Sequence, residues 1–193
     1  MSLNILLLGP QGAGKGTQAK RIAAEYSIPH IATGDILRAS IAAQTPLGLQ
    51  VKPILESGRL VPDDLMIGLI RERLCDEDAR EGFVLDGFPR TTPQADALDS
   101  MLRDIARELT IVFELQVSDE ICSERLLRRA REEGRADDTP EAIATRLELY
   151  HRETEPLVEH YRAQAILVGI HADGTPHEVF AEIQQALEQV VVR

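Results

Sequence analysis

Residues 9–17 read Gly-Pro-Gln-Gly-Ala-Gly-Lys-Gly-Thr and directly follow the apolar run Ile5-Leu6-Leu7-Leu8. This pattern predicts a buried strand, a glycine-rich loop, and then a helix that carries Lys15 and Thr17. A loop of this kind turns backbone N–H groups inward and forms a nest for phosphate oxygens. Lys15 adds a cation that can reach the outer phosphates. The stretch therefore predicts a phosphate-binding site at the start of the chain.

The spacing within the loop matches a phosphate-binding pattern with one departure. Gly9, Gly14 and Lys15 fit G-x-x-x-x-G-K, but the next position, usually Ser or Thr, is Gly16, and the hydroxyl follows at Thr17. The alternative interpretation is that the glycines serve only a tight turn. Such a turn needs one or two glycines rather than four, and the helix macrodipole disfavours a lysine at the helix start. Phosphate binding is therefore the favoured interpretation.

Composition limits the class of protein. A chain of 193 residues with 44% apolar and 27% charged residues predicts one domain with a buried core. The net charge of −11 argues against a general nucleic-acid binder, which needs a basic face. No apolar stretch approaches the ~20 residues of a membrane span, no basic signal region precedes the loop, and we expect a cytosolic protein. Cys75 and Cys122 are expected to be free, buried thiols.

Apolar runs of four to eight residues alternate with amphipathic helical patterns along the chain. The alternation predicts an α/β fold whose five-stranded parallel sheet is covered by helices on both faces, with ligands at the carboxyl ends of the strands. Strands are predicted at residues 3–8, 28–32, 82–86, 109–116 and 165–170, and helices at 15–26, 34–43, 47–57, 63–77, 93–107, 119–133, 140–162 and 176–190.

Two stretches interrupt this alternation. Residues 33–62 hold two short helical segments and no obvious strand, and residues 128–138 are polar without apolar periodicity. A helix then restarts, with Thr139 predicted as its N-cap and Pro140 in its first position. We expect the two stretches to be mobile flaps over the phosphate loop. The alternative is a helical excursion and a solvated charged loop.

A second predicted strand ends in the polar sequence Asp86-Gly87-Phe88-Pro89-Arg90. If this strand neighbours the first, Asp86 lies beside the phosphate loop, where a carboxylate can hold Mg²⁺ directly or through water. Gly87 allows close backbone approach, and Arg90 offers a planar fork for two phosphate oxygens. The alternative interpretation of Asp-Gly is a plain turn.

Further polar residues stand where helices are predicted to begin. Thr33 or Asp35 is interpreted either as a helix cap or as a site residue, and Arg38 lies one turn further on. Gln94 opens another helix, and its amide can bind the edge of a base. Arg125 and Arg129 share a helix face. With Arg135 and Arg146 they would surround a transferring phosphoryl group, whose transition state spreads negative charge over its oxygens.

The motifs together, in this order, resemble those of the adenylate kinase family in its short-lid form. The resemblance rests on the loop GPQGAGKGT, on ATGDILR (32–38), Leu60-Val61 and DGFPR (86–90), and on Gln94. It covers essentially the whole chain. It implies a three-layer phosphate-loop NTPase fold in a single domain with a core (1–32, 63–127, 139–193), an AMP-binding flap (33–62) and a short lid (128–138).

The resemblance also implies a reaction and roles for residues. The reaction is Mg²⁺-dependent phosphoryl transfer from ATP to AMP, in a cytoplasmic monomer whose partners are nucleotides rather than nucleic acid or membrane. Structural zinc is not expected, because the stretch from Arg131 to Asp138 leaves no room for the longer, cysteine-bearing lid. The implied catalytic residues are Lys15, Asp86, Arg90, Arg129, Arg135 and Arg146; ATP would bind Gly12, Ala13, Gly14, Lys15, Gly16, Thr17, Arg125, Arg129 and Gly174; AMP would bind Thr33, Arg38, Leu60, Val61, Gly87, Arg90, Gln94, Arg135 and Arg146; Mg²⁺ would be held through water near Asp86 and Thr17.

Two other functions stay open from the sequence alone. A UMP/CMP kinase would share most of these motifs, although such enzymes usually have Ala where this chain has Thr33. A non-catalytic nucleotide-binding regulatory module would share the phosphate loop but has no need of the arginines Arg38, Arg90, Arg129, Arg135 and Arg146. A translation-type GTPase is disfavoured, because the Asn-Lys-x-Asp motif does not occur.

Overall fold

A computed structural model of the chain describes residues 2–135 and 137–191 and confirms the α/β fold class. Five parallel strands form one sheet in the order β2-β3-β1-β4-β5. The strands are β1 (Leu3–Leu8), β2 (His30–Ala32), β3 (Gly82–Asp86), β4 (Ile111–Gln116) and β5 (Leu167–His171).

Helices cover both faces of this sheet. None of the helices in the described part of the chain combines the length and the apolar character needed to cross a membrane. The helices are α1 (Lys15–Tyr26), α2 (Thr33–Ala42), α3 (Pro46–Glu56), α4 (Asp63–Leu74), α5 (Thr92–Asp104), α6 (Asp119–Glu133), α7 (Pro140–Leu149), α8 (Pro156–Ala163) and α9 (Pro176–Val191), with a 3₁₀ turn at Glu77–Ala79 and a π turn at Tyr150–Thr154.

Successive side chains of β1 enter two different cores, as expected for a strand buried on both faces. Leu6 belongs to the cluster that contains Ile70 of α4, whereas Leu7 belongs to the cluster that contains Ile22 of α1. All four side chains are at most 1% exposed. The apolar run before the phosphate loop is therefore the centre of the fold, and it anchors the loop rigidly.

The sheet register places the second polar motif beside the loop. β1 pairs with β3, and Leu7 lies opposite Asp86. Both strands are parallel, so their carboxyl ends meet at the same edge. The prediction that Asp86 lies beside the phosphate loop is confirmed.

The predicted helix 140–162 is wrong as a single helix. It consists of α7 and α8 joined by the π turn, because Pro156 has no N–H to donate and its ring crowds the carbonyl of the preceding turn. The N–H of Glu155 bonds to the carbonyl oxygen of Tyr150, five residues back, at 2.8 Å. Such π turns are frequent at functional sites.

Smaller differences concern element ends and caps. The helices predicted at 63–77 and 93–107 end earlier, at Leu74 and Asp104, and the strands predicted from 28 and 109 begin two residues later. Ala32 occupies the N-cap of α2, so the alternative in which Thr33 or Asp35 caps that helix is wrong. Thr139 caps α7 as predicted, with its hydroxyl accepting from the N–H of Ala142 at 3.2 Å. Cys75 is exposed, contrary to expectation, whereas Cys122 is a buried free thiol.

Candidate active site

A cavity of about 820 Å³ opens at the carboxyl edge of the sheet. Its volume lies at the upper end of the range for small-molecule sites. Every site residue named from the sequence lines it. These residues are Gly12, Ala13, Gly14, Lys15, Gly16, Thr17, Thr33, Arg38, Leu60, Val61, Asp86, Gly87, Arg90, Gln94, Arg125, Arg129, Arg135, Arg146 and Gly174.

The phosphate loop ends in an uncapped helix N-terminus. Gly14 is the N-cap of α1, and within the described residues no side chain caps this helix and no acid lies in its first turn. The first N–H groups of a helix lack acceptors inside the helix and carry the positive end of its dipole. Since Gly14, Lys15, Gly16 and Thr17 all line the cavity, these donors are available to an anion.

Lys15 folds over the loop that precedes it. Its Nζ donates to the carbonyl oxygens of Gly9 at 2.6 Å and Pro10 at 2.8 Å. Burial lowers the pKa of Lys15 to about 8, and the nearby negative charge of Asp86 offsets part of this effect. The ammonium is therefore held at the mouth of the nest by neutral partners and can exchange them for phosphate oxygens.

Gly12 shows why the loop needs glycine. Its φ is 91°, and a Cβ at this position would lie 2.6 Å from the carbonyl oxygen of Cys122 in α6. Gly14 has a similar φ of 96°, but a Cβ there would meet open space. The loop thus packs closely against α6 at Gly12. At Gly14, glycine is favoured only by the positive φ of the backbone.

Asp86 faces the start of α1. Its Oδ2 would lie 3.5 Å from a Cβ placed on Gly16, and it lies 3.6 Å from Nε2 of His30. Burial by itself would raise the pKa of Asp86, but the neighbouring His30 ring and the charge of Lys15 together hold it below its usual range. Sequence reasoning did not name His30 as a site residue, but it lines the cavity beside this carboxylate.

At the carboxyl edge of the sheet, Asp86 is the carboxylate beside the phosphate loop that could hold a metal ion. No group of three or more His, Cys, Asp or Glu side chains placed to hold a metal occurs within residues 2–135 and 137–191. Mg²⁺ keeps several waters and is bound by one or two carboxylates together with substrate phosphates, rather than by an all-protein cage. An ionised Asp86 beside the phosphate loop fits an ion of that kind.

A further part of the cavity wall is built on the polar end of β3. The Thr33 hydroxyl donates to the carbonyl oxygen of Asp86 at 3.4 Å, and a Cβ on Gly87 would lie 2.6 Å from that hydroxyl. The Nε of Arg90 donates to the Gly87 carbonyl oxygen at 2.8 Å, which fixes the position of the guanidinium group. Its two terminal nitrogens make no hydrogen bond to the described residues, so the fork is available to an anion.

The amide of Gln94 is held at both ends. Its Oε1 accepts from the backbone N–H of Arg90 at 2.8 Å, and its Nε2 donates to Oδ1 of Asp63 at 2.7 Å. Thr91 donates its hydroxyl to the same carboxylate oxygen at 3.0 Å. Sequence reasoning named Gln94 but missed Asp63 and Thr91, because an acid in the first turn of a helix and a threonine before another helix look like ordinary capping residues.

Two of the predicted arginines share one carboxylate. Arg129 binds Asp138 through Nε at 2.7 Å and Nη2 at 2.9 Å, and Nη1 of Arg146 lies 2.6 Å from the same group. Arg146 also donates to Asp137 at 2.8 Å. Arg135 pairs with Glu133 at 2.7 Å. Sequence reasoning missed the role of Asp137 and Asp138; their position between Arg135 and the capped start of α7 was the available signal.

Arg125 and Gly174 belong to the part of the cavity wall formed with the loop that follows β5. Arg125 donates from Nη1 to the carbonyl oxygen of Ala172 at 2.8 Å and from Nη2 to that of Asp173 at 3.3 Å. This loop leads into Gly174, so the arginine fixes the wall on which Gly174 lies.

Two contacts join the predicted flap to the predicted lid side of the cavity. Arg38 Nη1 lies 3.8 Å from a carboxylate oxygen of Asp137, and Arg146 Nη2 donates to the Leu55 carbonyl oxygen at 3.3 Å. The arginine cluster is thus shared between segments that are far apart in sequence. The chain has a net charge of −11, but the arginines make the surface of this cavity locally basic. A basic cavity suits a small polyanion.

Comparisons with known proteins agree with this arrangement. The family model described as adenylate kinase matches residues 7–166. An adenylate kinase of Cyanothece sp. is 49% identical over 186 residues, which cover 96% of this chain and 95% of the relative. An adenylate kinase of Thermus thermophilus is 49% identical over 183 residues (95% and 96% covered), and one of Stenotrophomonas maltophilia is 45% identical over 186 residues (96% and 100% covered). Since the family model matches most of the chain and these relatives match it over nearly their full length, the chain belongs to the adenylate kinase family.

Proposed function

We propose that the enzyme transfers the γ-phosphoryl group of ATP reversibly to AMP, giving two ADP and balancing the adenine nucleotides. Family membership makes the chain a phosphotransferase that binds nucleotides. The observation that carries the proposal is that one cavity is lined by the phosphate loop, Asp86, Gln94 and arginines from separate segments. No feature of the cavity favours UMP or CMP over AMP.

ATP binds with its phosphates on the loop. The N–H groups at the start of α1 and Lys15 hold the phosphate oxygens, and Lys15 leaves the carbonyl oxygens of Gly9 and Pro10 to do so. The adenine lies toward Gly174, on the loop that Arg125 fixes. Asp86, with Thr17 nearby, would hold Mg²⁺ through the water shell of the ion. When bound, the ion would neutralise charge on the phosphates.

AMP binds on the β3 side of the same cavity. Arg38 and Arg90 anchor its phosphate, and the Gln94 amide binds the edge of its base. The walls around AMP are Thr33, Leu60, Val61 and Gly87.

The transfer step needs positioning and charge neutralisation more than proton removal. An oxygen of the AMP phosphate is already anionic and forms the new bond to the γ-phosphorus of ATP. The bond from that phosphorus to the β,γ-bridging oxygen breaks, and ADP leaves with the electron pair. Arg129, Arg135 and Arg146 neutralise the charge spread over the transferred group. The carboxylates that pair with these arginines, Asp137, Asp138 and Glu133, keep them oriented toward the cavity.

The flap (33–62) and the lid (128–138) close over the bound nucleotides, while the core (1–32, 63–127, 139–193) stays in place. Closure excludes water, which would otherwise compete with AMP as the acceptor. The contacts of Arg38 with Asp137 and of Arg146 with Leu55 support this proposal, because they already join the two sides of the cavity.

A coupled assay for ADP formation tests the function. ATP is offered with AMP, UMP or CMP in parallel, and with no acceptor. We expect rapid ADP formation with AMP, much less with UMP or CMP, and very slow hydrolysis of ATP alone. Preference for a pyrimidine monophosphate would contradict the assignment of the acceptor, and tight ATP binding without ADP formation would indicate a regulatory module instead.

We also propose that the enzyme works as a cytosolic monomer without a nucleic-acid partner and without structural zinc, as the family resemblance implies. The acidic net charge supports the exclusion of nucleic acid. Light scattering during size exclusion should report a mass near 21.4 kDa, and treatment with a zinc chelator should leave the melting temperature unchanged.

A further inference from the structure

We propose that Asp63 is a positioning residue that fixes the direction of the Gln94 amide, and that it thereby makes the acceptor site select a 6-aminopurine over a 6-oxopurine. The inference rests on the proposed function and deepens it. It assigns the choice between purine bases to a side chain that does not line the cavity.

The geometry around Gln94 permits one direction of its amide. A carboxylate oxygen only accepts hydrogen bonds, so the contact with Asp63 requires the Nε2 end, and the Arg90 N–H only donates, so it requires the Oε1 end. A flipped amide would bring an acceptor against an acceptor and a donor against a donor. Gln94 is 2% exposed, so water cannot readily replace either partner.

Asp63 is itself held in place. Thr91 donates its hydroxyl to the oxygen that Gln94 uses, and the Thr91 oxygen accepts from the backbone N–H of Gln94 at 3.4 Å. The hydroxyl proton therefore points to Asp63, which ties the start of α4 to the start of α5. On the other side of Arg90, Thr154 of the π turn donates to the Arg90 carbonyl oxygen at 2.8 Å. Arg90, whose N–H orients Oε1, is thus also anchored through its carbonyl group from a third segment.

A fixed amide reads a base as a pattern of donors and acceptors. After its two contacts, Gln94 retains one N–H donor and one acceptor position. A 6-aminopurine offers an acceptor at N1 beside a donor at N6, whereas a 6-oxopurine offers a donor at N1 beside an acceptor at O6. An amide free to turn satisfies either base, but an amide locked by Asp63 matches only one of the two patterns.

Calorimetric binding of AMP and of IMP provides the test, because the two nucleotides differ in this edge of the base and no turnover is required. For the wild type we expect AMP to bind much more tightly than IMP. In Asp63→Ala the ratio of the two dissociation constants should fall by about tenfold or more, since a directional amide contact with a base is worth roughly 5- to 100-fold in discrimination. Asp63→Leu, which is of similar size but has no acceptor, should lower the ratio in the same way. Asp63→Asn can still turn its Oδ1 toward Thr91 and Gln94, so it should keep most of the wild-type ratio.

The matched control is Asp64→Ala, which removes the same charge from the same helix turn at an exposed position. Its ratio should equal that of the wild type. If Asp63→Ala does not fold, Asp63→Leu supplies the test. An unchanged ratio in Asp63→Ala or Asp63→Leu, with AMP and IMP weakened equally, would reduce Asp63 to a structural residue and overturn the inference, as would a wild type that does not discriminate. A wild type that binds AMP selectively but forms no ADP would contradict only the proposed function.

Discussion

Arg129 and Asp138 form a two-point ion pair, with both guanidinium–carboxylate distances below 3 Å. The Asp138 side chain is fully buried, and Arg146 approaches it from the other side at 2.6 Å. Burial alone would raise the pKa of Asp138, but the hydrogen bonds and charges of the two arginines hold it below its usual range. One ionised carboxylate therefore sets the direction of two cations that line the nucleotide cavity.

Replacing that carboxylate should damage both catalysis and folding. In Asp138→Asn the side-chain shape is kept, but two arginines lose their shared counter-charge. We expect the free energy of unfolding to fall by about 3 kcal/mol, as for other buried pairs that lose one partner. The value of kcat should fall about tenfold or more, because misdirected cations stabilise the transition state less. Denaturant titration and steady-state kinetics measure the two effects.

The surface pair of Arg73 and Asp78 supplies the control. It has the same two-point geometry, at 2.8 Å for each contact, but Asp78 is 56% exposed. Asp78→Asn should therefore change the free energy of unfolding by less than about 1 kcal/mol and leave kcat unchanged. Equal effects of Asp138→Asn and Asp78→Asn would contradict the role given to burial and to the arginine cluster.

Lys15→Met should abolish most activity without unfolding the protein. Among the described residues the Lys15 ammonium donates hydrogen bonds only to the Gly9 and Pro10 carbonyl oxygens, and Met retains the apolar stem, so the substitution removes little from the fold. We expect kcat/KM for ATP to fall by about 10²–10³, the usual cost of one aligned electrostatic donor. The control is Lys52→Met, on α3, whose exposed ammonium lies 3.9 Å from Glu56. Near-normal turnover in Lys15→Met would remove the lysine from the mechanism.

The lowered pKa of Lys15 predicts how ATP binding depends on pH. The ammonium is charged below a pKa of about 8 and neutral above it. Because ATP phosphates are already ionised in this range, the dissociation constant of ATP should rise as pH increases from 7.5 to 9.5. Calorimetry at several pH values in this range measures the dissociation constant. In Lys15→Arg, which stays charged, the dissociation constant should change less with pH. A wild-type profile that matches that of Lys15→Arg would contradict the assignment.

The lowered pKa of Lys15 also predicts that the free energy of unfolding increases with pH, whereas the affinity for ATP decreases. The pKa of Lys15 is about 8 in the folded protein and 10.5 in the unfolded chain. Between these values the unfolded chain binds more protons, so this group contributes stability that increases as pH rises through that window. The difference in unfolding free energy between wild type and Lys15→Met should follow this trend in the absence of nucleotide.

The local parts of the fold and site could be predicted from the sequence. The β1–loop–α1 unit depends on a short apolar run and on glycines within nine residues, and each signal acts within its own segment. Asp86 could be placed because parallel strands bring their carboxyl ends to one edge. The contacts of Asp63 with Gln94 and of Asp138 with Arg129 could not, since they depend on how separate helices pack. The π turn was missed because helical periodicity continues through Pro156.

A pair of glycine substitutions separates packing from backbone strain within the phosphate loop. Gly12 and Gly14 both have positive φ, but only Gly12 would place a Cβ against another segment, 2.6 Å from the Cys122 carbonyl oxygen. Gly14→Ala should cost about 1–2 kcal/mol of stability from the backbone conformation alone. Gly12→Ala should cost at least about 2 kcal/mol more, because α6 must shift. Thermal unfolding of both variants measures the difference, and equal losses would show that the loop does not pack tightly against α6.

The most direct measurement is a crystal structure with a two-headed adenine-nucleotide inhibitor that spans both nucleotide sites. We expect that Lys15 leaves the Gly9 and Pro10 carbonyl oxygens for the phosphate chain, that Arg90, Arg129 and Arg146 contact the central phosphates, and that the acceptor adenine contacts Gln94. Arginines directed toward bulk solvent, or a phosphate loop without bound phosphate at saturating inhibitor, would contradict the proposed function.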